Sequence, residues 1–381
     1  MESGTTDTLW YVGERGIASE WGTRIMRMQN RMMCFEQMLK IRERTISESE
    51  KAFIIAEAGV NHNGDMNIAK EMIDVAMEAG VDAVKFQTFK TEELILKNID
   101  KAPYQKVTTG CKETQYDMLK RLEMTEEQNM ELMDYCKRKG LIFLSTPFEK
   151  TSLDELDELG VPAFKVAATD LTNIQFLRQV AKKGKPIILS AGMCYLEEVQ
   201  KALEAIYPIN RQVILLQCTA NYPIQDAEAN INVIRTFKDQ FSILVGYSDH
   251  SEGVGASPYA VAVGAKVIEK HFTLDKSMEG PDHRASVSPE ELKRLVIEIR
   301  HVEAYLGNGI KMPTCSEQMT RKSLQKCLVA AKPIVAGEKF SNENIVAKRT
   351  NGVGISALYV DDIVGKTAQR KYKEDEIINA E

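Results

Sequence analysis

The sequence predicts an α/β protein whose main domain is a (β/α)8 TIM barrel, followed by a small β-rich second unit. Between residues 51 and 306, eight apolar segments of strand length alternate with amphipathic segments of helix length. This alternation indicates a parallel sheet, and eight repeats in one domain is the number that closes a barrel. The alternative is an open, doubly wound sheet, which favours a GxGxxG turn after the first strand. Residues 58–64, at that position, lack this pattern.

The predicted elements follow a regular order. Apolar runs that end in polar residues mark the strands, and amphipathic runs closed by glycine or lysine mark the helices. A long excursion, residues 88–122, follows the second strand, and excursions of this length often carry function when they lie over a site. The predicted strands are residues 53–57, 83–87, 141–146, 163–167, 186–190, 213–218, 242–247 and 266–269. The predicted helices are residues 66–79, 126–139, 151–159, 176–183, 196–206, 231–237, 256–264 and 289–306.

Composition narrows the class of protein. The net charge of −6 argues against a nucleic-acid partner. The seven cysteines are odd in number and form no CxxC motif, which is typical of a reducing compartment rather than a disulfide framework. No apolar run approaches the ~20 residues that a membrane span needs. We therefore expect a cytoplasmic enzyme or binding protein that has neither a nucleic acid nor a membrane as its partner.

The chain outside the barrel divides into three further segments. Residues 1–50 are predicted to be a poorly ordered extension, although a loose helical stripe from Ile25 to Leu39 leaves open a docking helix or a dimer contact. Residues 307–322 contain glycines and a proline and are predicted to be a linker. Residues 323–381 form a small unit that buries little surface by itself, so we expect it to pack against a larger domain.

Polar residues stand at the ends of all eight predicted strands. Active sites of barrels lie at the C-terminal ends of the strands, so these side chains should converge on one mouth. One polar strand end means little, whereas eight together indicate a site. The residues concerned are Glu57, Lys85, Gln87, Thr146, Lys165, Ser190, Thr219, Ser248, His250, Glu269 and His271.

Two histidines stand out among these residues. His250 and His271 end successive predicted strands with a helix between them, and neighbouring parallel strands would bring the two imidazoles together. A lone histidine at such a place is usually structural, whereas this pair favours a shared divalent metal, Mn²⁺ or Mg²⁺. Glu269 and Asp282 would add oxygen ligands or support the histidines. An open site of this kind acts as a Lewis acid on a carbonyl group.

Two lysines on different strands predict an anion pocket. Lys85 and Lys165, with nearby hydroxyls, suit a phosphate or a carboxylate. The alternative is that Lys85 pairs with Glu57, and Lys165 with Asp170, because a buried ammonium needs anionic company. A Schiff-base aldolase would also need a barrel lysine, but it would leave the histidine pair unexplained. The mouth therefore predicts addition to a carbonyl by a phosphorylated or carboxylated partner.

Seven ordered motifs give the chain a family resemblance that runs from about Phe53 to its end. They resemble those of the sialic acid synthases, which include the N-acetylneuraminate, legionaminate and pseudaminate synthases. Residues 346–350, Val-Ala-Lys-Arg-Thr, resemble the signature of the antifreeze-like (SAF) domain that follows the barrel in that family. The seven motifs are Ile55-Ala-Glu-Ala-Gly-Val-Asn-His-Asn-Gly64, Val84-Lys-Phe-Gln-Thr88, Phe143-Leu-Ser-Thr-Pro-Phe148, Gly184-Lys-Pro-Ile-Ile-Leu-Ser190, Gly246-Tyr-Ser-Asp-His250, Ile268-Glu-Lys-His-Phe-Thr273 and Gly280-Pro-Asp-His283.

The resemblance implies the condensation of phosphoenolpyruvate with an N-acetylated sugar aldehyde, which gives a nonulosonic acid and phosphate. It implies a catalytic role for Glu57, Lys85, Asp170, Tyr222, His250 and His271, with the two histidines holding the metal. It implies that Lys85, Thr146, Lys165, Ser190 and Ser248 bind phosphoenolpyruvate. It implies that Gln87, Tyr222, Asp282 and Arg349 bind the sugar, with Arg349 reaching it from the partner subunit of a domain-swapped homodimer.

The chain departs from the family pattern around the fourth strand. Ala168 stands where the family commonly has a serine, Asp170 stands in place of a glutamate, and Ala220 replaces an asparagine or serine of some relatives. Thr169 offers a substitute hydroxyl. Two alternatives stay open: a non-catalytic barrel that binds a sugar acid or phosphate, and a metal-dependent aldolase that does not use phosphoenolpyruvate. The sugar, N-acetylmannosamine or a diacetamido-trideoxy hexose, also stays open.

Overall fold

The computed structural model describes residues 33–110 and 112–379, and the chain falls into two units, Met1–Gly307 and Asn308–Glu381. The first unit contains the predicted barrel, and the second contains a small antiparallel sheet. Among the described residues, we find no helix with both the length and the apolar character needed to cross a bilayer.

Eight parallel strands form a nearly closed barrel, as predicted. The hydrogen-bonded order is β5-β4-β3-β10-β9-β8-β7-β6, and β5 and β6 lie side by side at the seam. Neighbours in the barrel are thus mostly neighbours in sequence, as βαβ units require. The barrel strands follow a short hairpin of β1 (Met38–Ile41) and β2 (Arg44–Ser47), and are β3 (Phe53–Gly59), β4 (Ala83–Thr88), β5 (Ile142–Pro147), β6 (Phe164–Val166), β7 (Ile187–Ser190), β8 (Val213–Cys218), β9 (Leu244–Asp249) and β10 (Val267–His271).

The helices connect the strands and cover the outside of the barrel. Side-chain caps and glycines fix their ends: Asp65 accepts from the backbone N–H of Asn67 where α1 begins, and Gly80, with φ of +80°, ends it in the left-handed region that favours glycine. The predicted excursion contains three short helices, α2 to α4. The helices of this unit are α1 (Met66–Ala79), α2 (Thr91–Leu94), α3 (Pro103–Thr109), α4 (Gln115–Lys120), α5 (Glu126–Lys139), α6 (Lys150–Leu159), α7 (Ile174–Lys182), α8 (Leu196–Ile206), α9 (Val233–Phe241), α10 (Ser257–Ala262) and α11 (Pro289–Leu306).

The interior of the barrel changes character along the strands. Inward positions alternate with outward ones, so Phe53 and Ile55 share the inner face of β3 with Glu57. Toward the N-terminal end the interior is a buried apolar cluster that includes Phe53 and Ile55. Gly246 keeps this layer tight, because a Cβ there would lie 2.4 Å from a Leu216 methyl carbon. The next inward positions along the strands, at their C-terminal ends, carry polar side chains such as Glu57.

The prediction that residues 1–50 are poorly ordered is wrong for residues 38–47. They form a β-hairpin whose inward residues Leu39, Ile41 and Ile46 are buried in the apolar cluster at the N-terminal end of the barrel. The burial of alternate residues explains why a strand forms where a helical stripe was the alternative. The rest of that stripe, from Ile25 to Met32, lies outside the described residues.

The second unit has its own small core. Strands β11 (Lys326–Ala330) and β12 (Ile345–Arg349) pair antiparallel, and a short helix, α13 (Val360–Ile363), packs beside them. The predicted linker, residues 307–322, is not structureless, because α12 (Cys315–Leu324) occupies much of it. A capping box between Thr314 and Glu317 starts that helix. The sequence analysis missed this signal because the nearby glycines and proline favoured a linker.

Candidate active site

A cavity of about 460 Å³ opens at the C-terminal ends of the barrel strands. This is the mouth that the polar strand ends predict, and the residues predicted for it in this unit all line it except Asp170 and Thr219. The Thr219 hydroxyl donates to the Glu228 carbonyl oxygen instead. The predicted residues that line the cavity are Glu57, Lys85, Gln87, Thr146, Lys165, Ser190, Tyr222, Ser248, His250, Glu269, His271 and Asp282.

The floor of the cavity is a buried cluster of two lysines and two glutamates. Lys85 Nζ lies 2.6 Å from Glu57 Oε2, 2.9 Å from Thr146 Oγ1 and 3.8 Å from Glu269 Oε2. Lys165 Nζ lies 3.5 Å from Glu269 Oε1, which also accepts a hydrogen bond of 2.9 Å from Ser248. Glu269 therefore links the two lysines, and an anionic ligand entering here would meet both ammonium groups.

The two glutamates differ in their affinity for protons. Burial raises the pKa of Glu57 to about 7, although the attraction of Lys85 opposes the rise. Burial would also raise the pKa of Glu269, but the ammonium groups of Lys165 and Lys85 outweigh it and lower the pKa to about 2. Glu269 is thus a fixed carboxylate, whereas Glu57 exchanges its proton near neutral pH. Burial lowers the pKa of Lys165, in spite of its attraction to Glu269.

The hydroxyl groups of the mouth lie around the lysines. Ser190 Oγ is buried and has no hydrogen-bond partner within the described part of the chain, so a polar ligand would relieve its desolvation. Ala168 and Thr169 also line the cavity, although the Thr169 hydroxyl donates to Asp170 Oδ2 at 3.3 Å. The departure at Ala168 removes one hydroxyl, while Thr146, Ser190 and Ser248 still line the cavity.

The two predicted metal ligands lie together under an aromatic ring. The ring centroids of His250 and His271 are 5.6 Å apart, and the Tyr222 ring is tilted over His250 at 4.1 Å and lies edge-on to His271 at 5.5 Å. Burial lowers the pKa of His250 to about 4, and burial together with His250 lowers the pKa of His271 well below its ordinary value. Both imidazoles are therefore neutral at physiological pH, the form that binds metals.

The histidine pair fits an open metal site that takes two ligands from the protein. His250 Nδ1 lies 2.7 Å from the Thr219 carbonyl oxygen and donates to it, which leaves the lone pair on Nε2. His271 Nδ1 is buried without a hydrogen-bond partner in residues 33–110 and 112–379. In those same residues, no three His, Cys, Asp or Glu side chains cluster as a closed metal site would require. Water and substrate oxygens would have to complete the shell.

Asp170 is buried but turns away from the mouth. Its carboxylate accepts from Asn173 Nδ2 and from Thr169 Oγ1, each at 3.3 Å, in the short 3-10 turn that follows β6. The alternative pairing of Lys165 with Asp170 is therefore wrong, because Lys165 pairs with Glu269 instead. The other alternative pairing, Lys85 with Glu57, is confirmed. Arg349 belongs to the second unit, where it is exposed at the end of β12.

Asp282 is a buried carboxyl group of the mouth that pairs with no cation among residues 33–110 and 112–379. Burial alone raises the pKa of Asp282 to about 6, and its Oδ1 atom has no hydrogen-bond partner in the part of the chain that is described. In either protonation state, a carboxyl group in this position can form hydrogen bonds with the hydroxyl or amide groups of a sugar.

The excursion forms a lid over one side of the cavity, which strand-end reasoning missed. We call residues 91–110 and 112–120, with helices α2 to α4, the lid. Apolar residues of the lid and two glutamines, Gln105 and Gln115, line the cavity. The length of the excursion was the one sequence signal for this wall, because residues of separate short helices meet only after folding.

Comparisons with known proteins agree with this geometry. Residues 72–311 match the NeuB family, and residues 325–381 match the SAF domain. The chain is 47% identical over 332 residues to the N,N'-diacetyllegionaminic acid synthase of Campylobacter jejuni, covering 86% of this chain and 99% of that protein. It is 44% identical over 322 residues to the protein of the same name from Legionella pneumophila, covering 83% of this chain and 90% of that one.

A solved structure gives the same result for the fold. The N-acetylneuraminic acid (sialic acid) synthetase of Leptospira borgpetersenii, in complex with citrate, matches with a TM-score of 0.68 at 34% identity, over 76% of this chain and 98% of that chain. The order of the barrel strands and helices is the one that the sequence predicts. From the family match and these relatives, the chain belongs to the NeuB family.

Proposed function

We propose that this protein condenses phosphoenolpyruvate with an N-acetylated sugar aldehyde to give a nonulosonic acid and phosphate. The observation that carries the proposal is the pair of buried lysines, Lys85 and Lys165, beside a pair of neutral histidines at one barrel mouth. Relatives named as diacetyllegionaminic acid synthases support it. We further propose that the sugar is a diacetamido-trideoxy hexose, since those relatives are more similar to this chain than the sialic acid synthetase is.

Phosphoenolpyruvate binds on the lysine side of the cavity. Its phosphate and carboxylate groups accept hydrogen bonds from Lys85 and Lys165, and from the hydroxyls of Thr146, Ser190 and Ser248. These donors are buried, so each contact is made in a site of low dielectric constant and is stronger than in water. The ligand replaces part of the attraction that Glu57 and Glu269 provide in its absence.

The reaction needs one carbon–carbon bond and one proton on the sugar oxygen. C3 of phosphoenolpyruvate adds to the aldehyde carbon of the sugar, water adds to C2, and phosphate leaves. Glu57 is the group that holds or moves a proton here, because its pKa of about 7 lets it exist in both forms at neutral pH. Gln87, which donates to Glu57 Oε1 at 3.2 Å, orients that carboxyl group.

The histidine pair is proposed to hold a divalent cation, Mn²⁺ or Mg²⁺. Bound at His250 and His271, such an ion would polarise a carbonyl oxygen as a Lewis acid. The Thr219 carbonyl group fixes the ring orientation and tautomer of His250, and Tyr222 covers the pair and excludes bulk water from it. The carboxylates of Glu269 and Asp282 line the same cavity and are proposed to add oxygen ligands or to support the histidines.

Arg349 is proposed to complete the sugar site from a second subunit of a domain-swapped homodimer. Its support is its exposed position and the SAF match of the unit that carries it. The test mixes Arg349→Ala protein with His250→Asn protein, each inactive alone, under conditions of subunit exchange. Recovery of activity supports the swap, because one site of each mixed dimer is intact. No recovery despite proven exchange contradicts it.

The proposed function is tested by the release of phosphate. The protein is incubated with phosphoenolpyruvate, Mn²⁺ and either N-acetylmannosamine or a diacetamido-trideoxy hexose, and phosphate is measured over time. Release that requires both substrates is the expected result. No release with any sugar favours the non-catalytic binding barrel. A parallel reaction replaces phosphoenolpyruvate with pyruvate, and product formation there favours the aldolase. Treatment with a chelator, followed by return of Mn²⁺ or Mg²⁺, tests the metal separately.

A further inference from the structure

The lid gives the cavity an apolar side that faces the charged floor. Val60, Phe89, Met118 and Leu122 form a separate buried cluster, and Leu94, Leu119 and Phe148 pack against it. All of these except Leu122 also line the cavity. A ligand that fills the cavity must therefore present apolar atoms, such as methyl groups, to this side and charged groups to the floor.

Internal bonds hold the lid in one shape. The buried Lys101 ammonium donates to Thr109 Oγ1 and to Glu113 Oε1, each at 2.8 Å, and so ties α3 to the residues before α4. Thr108 Oγ1 donates to the Pro281 carbonyl oxygen at 3.2 Å and joins the lid to the loop that carries Asp282. A wall fixed in this way is organised before the ligand binds, which favours selectivity.

Two glutamine side chains interrupt the apolar wall. Gln105 Oε1 accepts hydrogen bonds from the Ala102 backbone N–H and from Gln115 Nε2, both at 3.0 Å. These bonds fix the Gln115 carboxamide at the cavity, where both glutamines are lining residues. A carboxamide offers two N–H donors and a carbonyl acceptor, so Gln115 keeps one N–H and its Oε1 beyond the bond to Gln105.

The side chain of Gln115 has no part in starting the helix. Its backbone N–H donates to the Ile99 carbonyl oxygen at 3.0 Å, and the capping box of α4 is formed by Thr114 and Asp117. Within the described residues, the side-chain hydrogen bond of Gln115 is the one to Gln105, and Gln115 lines the cavity. Its amide is available there for a ligand.

We infer that Gln115, oriented by Gln105, is a specificity-determining residue that hydrogen-bonds a second acetamido group of the sugar. This inference rests on the proposed function and extends it to a residue that distinguishes one sugar substrate from another. An acetamido group has one N–H and one carbonyl oxygen, which complement the remaining donor and acceptor of Gln115. The methyl of that group, and the methyl at C6 of a deoxy sugar, lie against the apolar wall. N-acetylmannosamine has hydroxyls in place of the second acetamido group and at C6. It therefore offers neither the amide for Gln115 nor the methyl groups for the apolar wall.

The test compares two sugars on three proteins: wild type, Gln115→Met and Gln240→Met. Methionine keeps the length of glutamine without its hydrogen bonds, and Gln105 Oε1 keeps its bond from Ala102. Gln240 is exposed on α9, away from the cavity, and provides the matched control. We expect Gln115→Met to lower kcat/KM for the diacetamido-trideoxy hexose by about ten-fold, mainly through KM, because a hydrogen bond to the ligand is lost. The kcat/KM for N-acetylmannosamine and the KM for phosphoenolpyruvate should not change.

Each outcome decides the inference. An equal fall for both sugars, or no fall for the diacetamido sugar, overturns it, and so does a wild-type preference for N-acetylmannosamine. If N-acetylmannosamine turns over too slowly to measure, the KM for phosphoenolpyruvate is the reference that must stay constant. Absence of phosphate release from wild-type protein with either sugar contradicts the proposed function itself, which separates that failure from a failure of this inference.

Discussion

The two ends of the barrel are built from the same eight strands and differ in almost every physical property. The N-terminal end is filled by an apolar cluster and closed by the hairpin residues Leu39, Ile41 and Ile46. The C-terminal end holds two lysines, two glutamates and two histidines around an open cavity. The contrast teaches that one end contributes stability by burial, while the other holds groups whose burial costs stability and serves chemistry.

Two aspartates show the same contrast on a smaller scale. Asp82, at the N-terminal end, accepts from the Ile54 backbone N–H at 2.8 Å and pairs with Arg44 at 3.0 Å. Asp282, at the mouth, is buried with no cation beside it, and burial raises the pKa of its carboxyl group to about 6. Burial also raises the pKa of Asp82, but the Ile54 N–H and Arg44 oppose that rise. Of these two aspartates only Asp282 lacks such partners among the described residues, and a ligand at the mouth would provide them.

The largest expected effect is the loss of turnover in His250→Asn. The asparagine amide can replace Nδ1 in donating to the Thr219 carbonyl oxygen, so the variant removes Nε2 and preserves local structure. We expect phosphate release to fall by roughly a thousand-fold or more, and the affinity for Mn²⁺ by calorimetry to fall with it. His301→Asn, exposed on α11, is the control. Full activity of the chelated, metal-free variant would contradict the role of the pair.

Next in size is the loss of stability in Ile46→Ala at the opposite end. Ile46 is fully buried in the apolar cluster, and deletion of its side chain should lower the free energy of unfolding by about 2–5 kcal/mol. Activity at 25 °C should stay at the wild-type level, since the cluster does not reach the mouth. Met38→Ala, exposed on the same hairpin, should change stability little. A large fall in kcat/KM for Ile46→Ala would mean that the two ends are not independent.

A third effect concerns the pH dependence of stability through Asp282. The pKa of its carboxyl group is raised in the folded state, so the protonated form favours folding. The resulting contribution to the free energy of unfolding is roughly 3 kcal/mol. It is fully present below pH 4 and is lost as the pH rises through about 6. We expect Asp282→Asn to be more stable than wild type above pH 7 and to lose this advantage below pH 4. Urea unfolding above pH 7 and below pH 4 measures the difference in the free energy of unfolding between the variant and wild type. The same difference at both pH values would contradict the prediction.

The smallest expected effect is a weaker affinity for phosphoenolpyruvate in Lys85→Met. The lost charge-assisted contact is worth about 1.5–3 kcal/mol, or roughly ten- to hundred-fold in KM. The fold should tolerate the change near neutral pH, because Glu57, with a pKa of about 7, can take up a proton when its partner is removed. The KM for the sugar is the internal control. An unchanged KM for phosphoenolpyruvate would remove Lys85 from the anion pocket.

The sequence predicted the barrel and most of the mouth because both depend on local pattern. Period-two alternation places Lys85 and Gln87 inward on β4, and parallel pairing then brings the ends of β3, β9 and β10 together. Side-chain partners were less predictable. Asp170 follows β6 through a 3-10 turn that directs it to Asn173, so Lys165 pairs with Glu269 across the barrel.

Features that depend on long-range packing escaped the sequence analysis. The hairpin of residues 38–47 was missed because its alternation is short and its burial is supplied by the far end of the barrel. The lid wall was missed because Gln105 and Gln115 belong to separate short helices and meet only in the folded protein. Neither feature has a local pattern strong enough to identify it.

The central claim is that the charged end of the barrel joins phosphoenolpyruvate to an amino sugar. Its most direct test is mass spectrometry of the product, with phosphate measured in the same reaction of wild-type protein, Mn²⁺, phosphoenolpyruvate and a diacetamido-trideoxy hexose. The account predicts one phosphate for each molecule of a nonulosonic acid whose mass equals that of the sugar plus pyruvic acid. Phosphate without a condensed product, or the condensed product with no phosphate, would contradict it.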